Sequence, residues 1–182
     1  RIDEEARRLD KMIGELLTLS RAEHQSLPDE QYFDLLGLLE AVANDARYEA
    51  QGSGVEIMLN ADQNGDYTVK GDAKLIRSAV ENVVRNALRF SGQGQQVRIS
   101  LQQDSGWLTI GVSDQGPGVD ADKLSSIFDP FVRVNSPLSG KGYGLGLSIV
   151  RKVILAHQGE VSAVNGKNGG LELTLKLPHW VA

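Results

Sequence analysis

The sequence predicts a two-layer α/β sandwich of the α+β type, in which a mixed sheet is covered by three helices and preceded by one long helix. Three observations support this fold class. Residues 1–25 repeat apolar side chains at heptad spacing, the chain from residue 31 onward changes repeatedly between helical and strand patterns, and turn signals separate successive strands. Helices and antiparallel hairpins in this order are typical of a sheet whose helices lie on one face.

Composition excludes several classes of protein. The 182 residues are 41% hydrophobic and 24% charged, as in a soluble globular domain. A net charge of -5 without a basic cluster argues against a nucleic-acid partner. The absence of cysteine excludes disulfides and thiolate metal sites, and no apolar run approaches the roughly 20 residues of a membrane span. Because the chain starts inside a helical pattern at Arg1, we expect it to be part of a longer protein.

The first predicted element is an amphipathic helix over residues 1–25, followed by a polar break at 24–30 that contains Pro28. A lone helix of this kind needs a partner for its apolar stripe. The helix could pack on its own domain, or it could be one piece of an intermolecular helical bundle. The heptad spacing favours the bundle. The stripe consists of Ile2, Leu9, Met12, Leu16 and Leu19.

The other elements follow in chain order from caps, periodicity and turns. Asp34 is expected to cap a helix ending near Gln51, and Asp72 a long helix ending near Phe90. Residues 114–141 are rich in Gly, Pro, Ser and Asp and show little periodicity. A last helix is predicted over 144–157. The predicted strands cover residues 55–59, 67–70, 96–103, 106–113, 160–164 and 171–177.

The helix predicted at 72–90 carries two asparagines four residues apart, Asn82 and Asn86, with Arg89 three residues further on. These three side chains fall within about 60° of arc at the margin of the apolar face. Asparagine is unfavourable inside a helix, and amide oxygens can serve as hard ligands for Mg²⁺ beside a bound phosphate. Arg89 could then meet phosphate charge. The alternative is that both amides are merely solvated or capping.

Two glycine-containing motifs follow. Asp114, Gly116 and Gly118 come directly after an apolar strand, where a carboxylate could accept the exocyclic amine of adenine and glycines let the backbone approach the ring. An ordinary turn is the alternative. Residues 140–147 alternate glycines just before a helix, as a phosphate-binding helix N-terminus would, although a flexible hinge has the same composition. Neither Rossmann nor P-loop spacing is met.

The order of these three motifs is similar to that of the Bergerat-type ATP-binding fold, which is shared by histidine kinases, Hsp90, gyrase B and MutL-like proteins. Residues 81–91 resemble the N box of sensor histidine kinases, 114–118 their G1 box, 128–133 their F box and 142–147 their G2 box. The resemblance covers residues 31–182, and residues 1–25 resemble the second helix of the family's dimerisation bundle. It implies a bundle segment at 1–27 and a catalytic ATP-binding domain at 28–182.

The resemblance implies a role for each matching residue of the first two boxes. Asn86 corresponds to the principal Mg²⁺ ligand, with Asn82 beside it at the phosphates. Arg89 corresponds to a basic residue that meets phosphate, Phe90 to an aromatic side chain lying against adenine, and Asp114 to the carboxylate that reads adenine.

Further roles are implied for the lid, which is expected at residues 119–141, and for the loop on the phosphate side. Arg133 resembles an F-box arginine that reaches the γ-phosphate during transfer, and Lys141 could contact phosphate from the lid. Tyr143 stands where the family often has a small or hydroxyl residue. The loop expected on the phosphate side consists of Gly142, Tyr143, Gly144, Leu145, Gly146 and Leu147.

By this resemblance the chain is the ATP-binding catalytic region of a bacterial sensor histidine kinase. It would transfer the γ-phosphoryl group of Mg-ATP to a histidine on a helix that this chain lacks. The family's acceptor pattern, His-Glu/Asp-x-x-Thr/Asn-Pro, is absent, and we interpret His24, His157 and His179 as surface or capping residues. We therefore expect nucleotide binding with little or no self-phosphorylation.

The resemblance also implies ATP and Mg²⁺ as ligands, a second protomer, and a response regulator as partner. It implies a cytoplasmic segment, without direct membrane contact, of a sensor anchored in the inner membrane. Two alternatives remain open. One is an ATPase of the same superfamily, which is disfavoured by the short lid, the F box and the heptad helix. The other is a nucleotide-binding pseudokinase that acts as a scaffold.

Overall fold

The computed structural model describes residues 2–22, 27, 29–130 and 146–182, and within these ranges the predicted two-layer sandwich is confirmed. Five strands form a mixed sheet in the order β2-β4-β5-β7-β6, in which β2 and β4 run parallel and the other neighbours run antiparallel. The strands of this sheet are β2 Glu56–Ala61, β4 Gln96–Asp104, β5 Trp107–Ser113, β6 Glu160–Asn165 and β7 Leu171–Pro178.

Three helices, α2 Leu35–Glu49, α3 Ala73–Arg89 and α4 Gly146–Ala156, supply the second layer. Alternate residues of the central strands point toward these helices and are buried, as a half-covered sheet requires. Their side chains and those of the helices form one continuous hydrophobic core. The two predicted caps are present, since Asp34 accepts hydrogen bonds from Leu36 N and Gly37 N, and Asp72 accepts one from Leu75 N.

A second, two-stranded antiparallel sheet pairs β1, Glu30–Asp34, with β3, Thr68–Asp72. The sequence did not predict β1. Four of its five residues are exposed and only Phe33 is half-buried, so the strand shows no alternation of apolar and polar side chains. The pairing brings Glu30 opposite Asp72 and fixes the chain just before α3 begins.

The long N-terminal helix α1, Ile2–Ala22, lies against the helical layer. Met12 and Leu16 pack on the core, and Ser78 Oγ of α3 donates a 2.6 Å hydrogen bond to Glu15 Oε1. Lys11 Nζ lies 3.8 Å from Glu81 Oε2. One face of α1 is therefore in contact with its own domain, which was the arrangement that the heptad pattern had disfavoured.

Another face of α1 carries apolar side chains that remain exposed. Ile2, Ile13 and Leu17 are 85%, 44% and 55% exposed. At about 100° per residue these three side chains fall within about 60° of arc, next to the face that touches the domain. None of the described helices is long and apolar enough to cross a membrane.

Candidate functional site

Asn82 lies on α3 where the apolar face of the helix ends. The residue is only 9% exposed, and its Nδ2 atom is buried without a hydrogen-bond partner in the described part of the chain. A buried, unpaired amide donor is costly, by about 1–3 kcal/mol, unless something else satisfies it. Asn86, one turn further along, is half-buried. The helix thus presents two amides at one edge of the core, as the sequence predicted.

Gly146, the first residue of α4, lies next to Asn82. A Cβ atom built on Gly146 would be 3.9 Å from both Cβ and Cγ of Asn82. The end of the glycine-rich motif and the asparagine helix therefore meet, although 63 residues separate them in sequence. Leu147 packs against the core and anchors the first turn of α4.

Asp114 follows the last residue of β5 and is 7% exposed. Its Oδ1 atom accepts hydrogen bonds from Gly116 N at 2.9 Å and Leu171 N at 3.3 Å. Burial raises the pKa of the Asp114 carboxyl, and these two backbone donors oppose the rise. Since Oδ1 is occupied by the backbone, Oδ2 is the oxygen left to accept a bond from a ligand amine.

The backbone around Asp114 is packed too closely for side chains. A Cβ on Gly116 would lie 3.1 Å from Asp114 Oδ1 and 3.2 Å from Phe90 Cβ. Phe90 is the residue after α3, so the loop that carries Asp114 rests directly on the end of the asparagine helix. Gly170, at φ +82°, approaches the other side, where a Cβ would be 2.7 Å from the carbonyl carbon of Asp114.

Two residues of this arrangement were missed by the sequence analysis. One is Gly170. The other is Asn165 at the end of β6, which accepts a 2.9 Å bond from Val119 N and donates a 2.6 Å bond to Val119 O. This pair of bonds holds the chain where the segment after Gly118 begins. The Gly166–Gly170 turn was a visible signal, but only the folded sheet brings it beside residues 114–119.

Several predicted residues lie next to one another. Asn82 is close to Gly146, and Gly116 lies between Asp114 and Phe90. Gly118 lies beside Asn165 and Gly170.

Arg89 lines a cavity of about 600 Å³ beneath α1, together with Arg8, Arg85 and Leu88. The predicted residues Arg133, Lys141, Gly142, Tyr143, Gly144 and Leu145 lie outside the described residues.

A buried carboxylate between close-packed glycines, near a helix that bears two amides and a helix N-terminus that begins with glycine, has the groups that a nucleotide-binding site requires. Residues 71–180 match the family of histidine kinase-, DNA gyrase B- and HSP90-like ATPases. The chain belongs to this family, and it is an ATP-binding domain of the kind that sensor histidine kinases carry. The family resemblance drawn from the four boxes is confirmed.

Relatives and solved structures agree on this class. The sensor histidine kinase CpxA of Escherichia coli (strain K12) is 37% identical over 180 residues, which are 98% of this chain and 39% of CpxA. The mycobacterial sensor histidine kinase MprB matches at a TM-score of 0.73 and 26% identity, covering 84% of this chain and 100% of that one. Full-length ShkA in complex with AMPPNP matches at 0.79 and 25% identity, over 98% of this chain and 37% of ShkA. This chain spans less than half the length of the curated relatives it matches first.

Proposed function

We propose that this domain binds Mg-ATP with its adenine at Asp114 and its phosphates at the Asn82–Gly146 contact. It then donates the γ-phosphoryl group to a histidine on a helix outside this chain. The observation that carries the proposal is the buried Asp114 carboxylate, fixed by two backbone N–H groups and adjoining the asparagine helix.

The adenine end follows from the free oxygen of Asp114. Its Oδ2 atom would accept the exocyclic amine in a charge-assisted hydrogen bond, strengthened by the burial of the carboxylate. Gly116 and Gly170 let the backbone pass close to Asp114 on two sides, which fixes the carboxylate in position for a ligand. Phe90 would cover one face of the ring from the end of α3.

The phosphate end follows from α3 and α4. The first backbone N–H groups of α4, at Gly146 and Leu147, belong to a helix N-terminus, which favours anions through free donors and the helix dipole. By resemblance, residues 142–145 and Lys141 would complete the loop, and Arg133 would reach the γ-phosphate from the lid.

The amides of α3 fit a magnesium ion held jointly with phosphate. The described residues contain no cluster of three or more His, Cys, Asp or Glu side chains that could hold a metal by themselves. Mg²⁺ needs few protein ligands when phosphates and waters supply the rest, and Asn86, with Asn82 beside it, offers amide oxygens. The unpaired Nδ2 of Asn82 could donate to a phosphate oxygen. When bound, the ion would neutralise charge on the phosphates.

The protein as a whole is proposed from the resemblance and from α1. Residues 1–27 would be the second helix of a dimerisation bundle, and residues 28–182 the catalytic domain. The exposed stripe of Ile2, Ile13 and Leu17 supports a bundle partner, because such a stripe is unfavourable in water. The complete protein would be a homodimer anchored in the inner membrane, with this part in the cytoplasm, and would pass phosphate to a response regulator.

Calorimetric titration of the 182-residue chain with ATP, with and without Mg²⁺, tests the proposal. Asp114→Asn should weaken binding by about 10–100-fold, because an amide loses the charge that holds the adenine amine. Asn86→Ala should reduce the gain in affinity that Mg²⁺ provides while leaving metal-free binding nearly unchanged. Asp104→Asn, also at the end of a strand but exposed, and Asn60→Ala, exposed on β2, are the matched controls.

Equal affinity in Asp114→Asn and wild type would contradict the adenine assignment. A steady release of inorganic phosphate by this chain would favour the superfamily ATPase instead. Binding without any response to Mg²⁺ would favour the pseudokinase scaffold.

A further inference from the structure

His157 is buried at the end of α4 and bonded through both ring nitrogens. It is 3% exposed, its Nε2 atom accepts a 3.0 Å hydrogen bond from Asp72 N, and its Nδ1 atom lies 2.7 Å from Val153 O. An acceptor role for Nε2 and a carbonyl at Nδ1 require the neutral ring with its proton on Nδ1. Burial lowers the pKa of His157, in keeping with that form. Of the two expected roles, surface or capping, the first was wrong because His157 is buried, whereas its bond to Val153 O satisfies a carbonyl of the last turn of α4 as a capping residue does.

The bond to Asp72 joins two helices. Asp72 is the N-cap of α3, where its Oδ1 atom accepts a 3.1 Å bond from Leu75 N. The imidazole also packs on the backbone before the cap, since a Cβ on Gly71 would lie 2.6 Å from His157 Nε2. His157 is therefore bonded to the residue from which α3 starts.

At its own end, α4 is fixed to the sheet. Gly159 N bonds to Ile154 O at 2.9 Å, and Gly159 then lies so close to the carbonyl of Lys176 on β7 that no side chain fits there. His157 therefore joins the start of α3 to an end of α4 that is packed closely against the sheet.

The two helices run antiparallel, so their other contact is at the nucleotide site. Asp72 meets His157 at one end of the pair, and Asn82 meets Gly146 at the other. The two contacts on α3 are ten residues, or about 15 Å, apart along a continuous helix. A displacement of the start of α3 would therefore be passed along the helix to its amides.

We propose that His157 is a positioning residue of the nucleotide site: by bonding the N-cap of α3, it sets where Asn82 and Asn86 stand relative to the first turn of α4. The inference rests on the proposed function, in that these amides hold Mg²⁺ and phosphate. Magnesium coordination tolerates little error in ligand position, whereas adenine binding at Asp114 does not involve the amides. Loss of the bond should consequently impair the magnesium-dependent part of binding selectively.

Three substitutions separate the two bonds of His157. Gln can place its Oε1 atom near the position of Nε2 and accept from Asp72 N. Asn is one carbon shorter, so it can donate to Val153 O but cannot reach Asp72. Ala makes neither bond. The series thus distinguishes the bond between His157 and Asp72, which joins the two helices, from the bond to Val153 within α4.

The measurement is calorimetric titration with AMPPNP, with and without Mg²⁺, together with thermal unfolding of each variant. His157→Asn should weaken binding in Mg²⁺ by about ten-fold, as for other groups that support metal ligands without touching the metal, and His157→Gln should restore most of it. Without Mg²⁺ the variants should differ from wild type by less than about two-fold.

A lower melting temperature in His157→Asn with unchanged affinity in Mg²⁺ would overturn the inference, because the role would then be structural only. Equal losses with and without Mg²⁺ would also overturn it. If wild type itself does not bind AMPPNP, the proposed function is contradicted. If wild type and His157→Asn bind AMPPNP equally well, the inference about His157 is refuted and the proposed function is not.

A pH series compares wild type with His157→Gln and covers the case in which His157→Asn fails to fold. Protonation of His157 turns Nε2 into a donor and breaks its bond from Asp72 N. The acidic groups facing it are Asp72 and Glu30, which favour the charged ring, while burial disfavours it. The gain in affinity from Mg²⁺ should decrease in wild type as the pH is lowered below 6.5 toward the lowered pKa of His157, and should decrease less in His157→Gln. The nucleotide's own protonation affects both proteins alike. Parallel profiles would contradict the inference.

Discussion

At the scale of single residues, the position of the Asp114 carboxylate depends on backbone groups rather than on a neighbouring cation. Two N–H donors hold Oδ1, and both come from chain segments that glycine allows to pass close by. A buried carboxylate that is fixed in position favours a ligand whose hydrogen-bond donor meets its free oxygen. The position of the Asp114 carboxylate therefore depends on the close approach of Gly116 and Gly170.

Gly170→Ala, with Gly94→Ala as its control, tests this dependence. Both glycines have nearly the same φ, +82° and +83°, but a Cβ on Gly170 would meet Asp114, whereas one on Gly94 has no atom within 4 Å. Gly94→Ala should cost about 1 kcal/mol of unfolding free energy from the backbone conformation alone. Gly170→Ala should cost distinctly more and should abolish ATP binding. Urea unfolding and calorimetry measure the two effects, and equal results in both variants would contradict the account.

At the scale of elements, α1 presents two different surfaces. The face with Met12 and Leu16 rests on the domain, where Glu15 is partly buried against Ser78. Burial raises the pKa of the Glu15 carboxyl, the hydrogen bond from Ser78 opposes this, and Oε2 has no partner among the described residues. A half-satisfied buried carboxylate is a weak contact, so we expect α1 to be the least firmly held helix of the described fold.

Leu16→Ala and Leu17→Ala distinguish the two faces of α1. Leu16 is half-buried against the core, and Leu17 is 55% exposed. Leu16→Ala should destabilise the docked helix by about 1–2 kcal/mol and speed hydrogen exchange of the α1 amides. Leu17→Ala should leave exchange in the monomer unchanged and weaken self-association instead, as sedimentation would show. Faster exchange in Leu17→Ala than in Leu16→Ala would mean that the faces are assigned the wrong way round.

The α3–α4 pair predicts how stability depends on pH. The pKa of His157 in the folded state is below its ordinary value of 6.5. The stability contributed by the neutral, bonded ring is therefore complete above pH 6.5 and decreases as the pH falls from 6.5 toward the folded pKa. Glu15 and Asp114, whose carboxyl pKa values are raised, act in the opposite direction. Comparing wild type with His157→Gln removes their effect. Between about pH 7.5 and about pH 5.5, unfolding in urea should show the larger loss of stability in wild type.

At the scale of the whole molecule, local signals predicted most of the fold. Asp34 and Asp72 were identified as caps, and both accept the expected hydrogen bonds. The strands of the main sheet lie within a few residues of their predicted limits because alternation and turn residues are local properties. The strand β1 was missed because it is exposed, and its pairing with β3 depends on a segment 38 residues away.

Residues of the candidate site could be predicted only where they belong to a local sequence motif. Asn82, Asp114 and Gly146 were identified from their own neighbours in sequence. Asn165 bonds to Val119, and Gly170 packs against Asp114. Both contacts depend on the pairing of β6 with β7. The role of His157 likewise depends on a contact across 85 residues. Long-range backbone contacts of this kind leave no periodic trace in a single sequence.

Transfer of labelled γ-phosphate from ATP tests the central claim most directly. The assay would join to the start of this chain a bundle helix that carries the family's acceptor histidine, and would use Asn86→Ala and an acceptor His→Gln as controls. We predict acid-labile, alkali-stable label on the added helix, lost with the acceptor histidine and strongly reduced in Asn86→Ala. A fusion that binds Mg-ATP with wild-type affinity and never labels the helix would contradict the account and leave a nucleotide-binding scaffold.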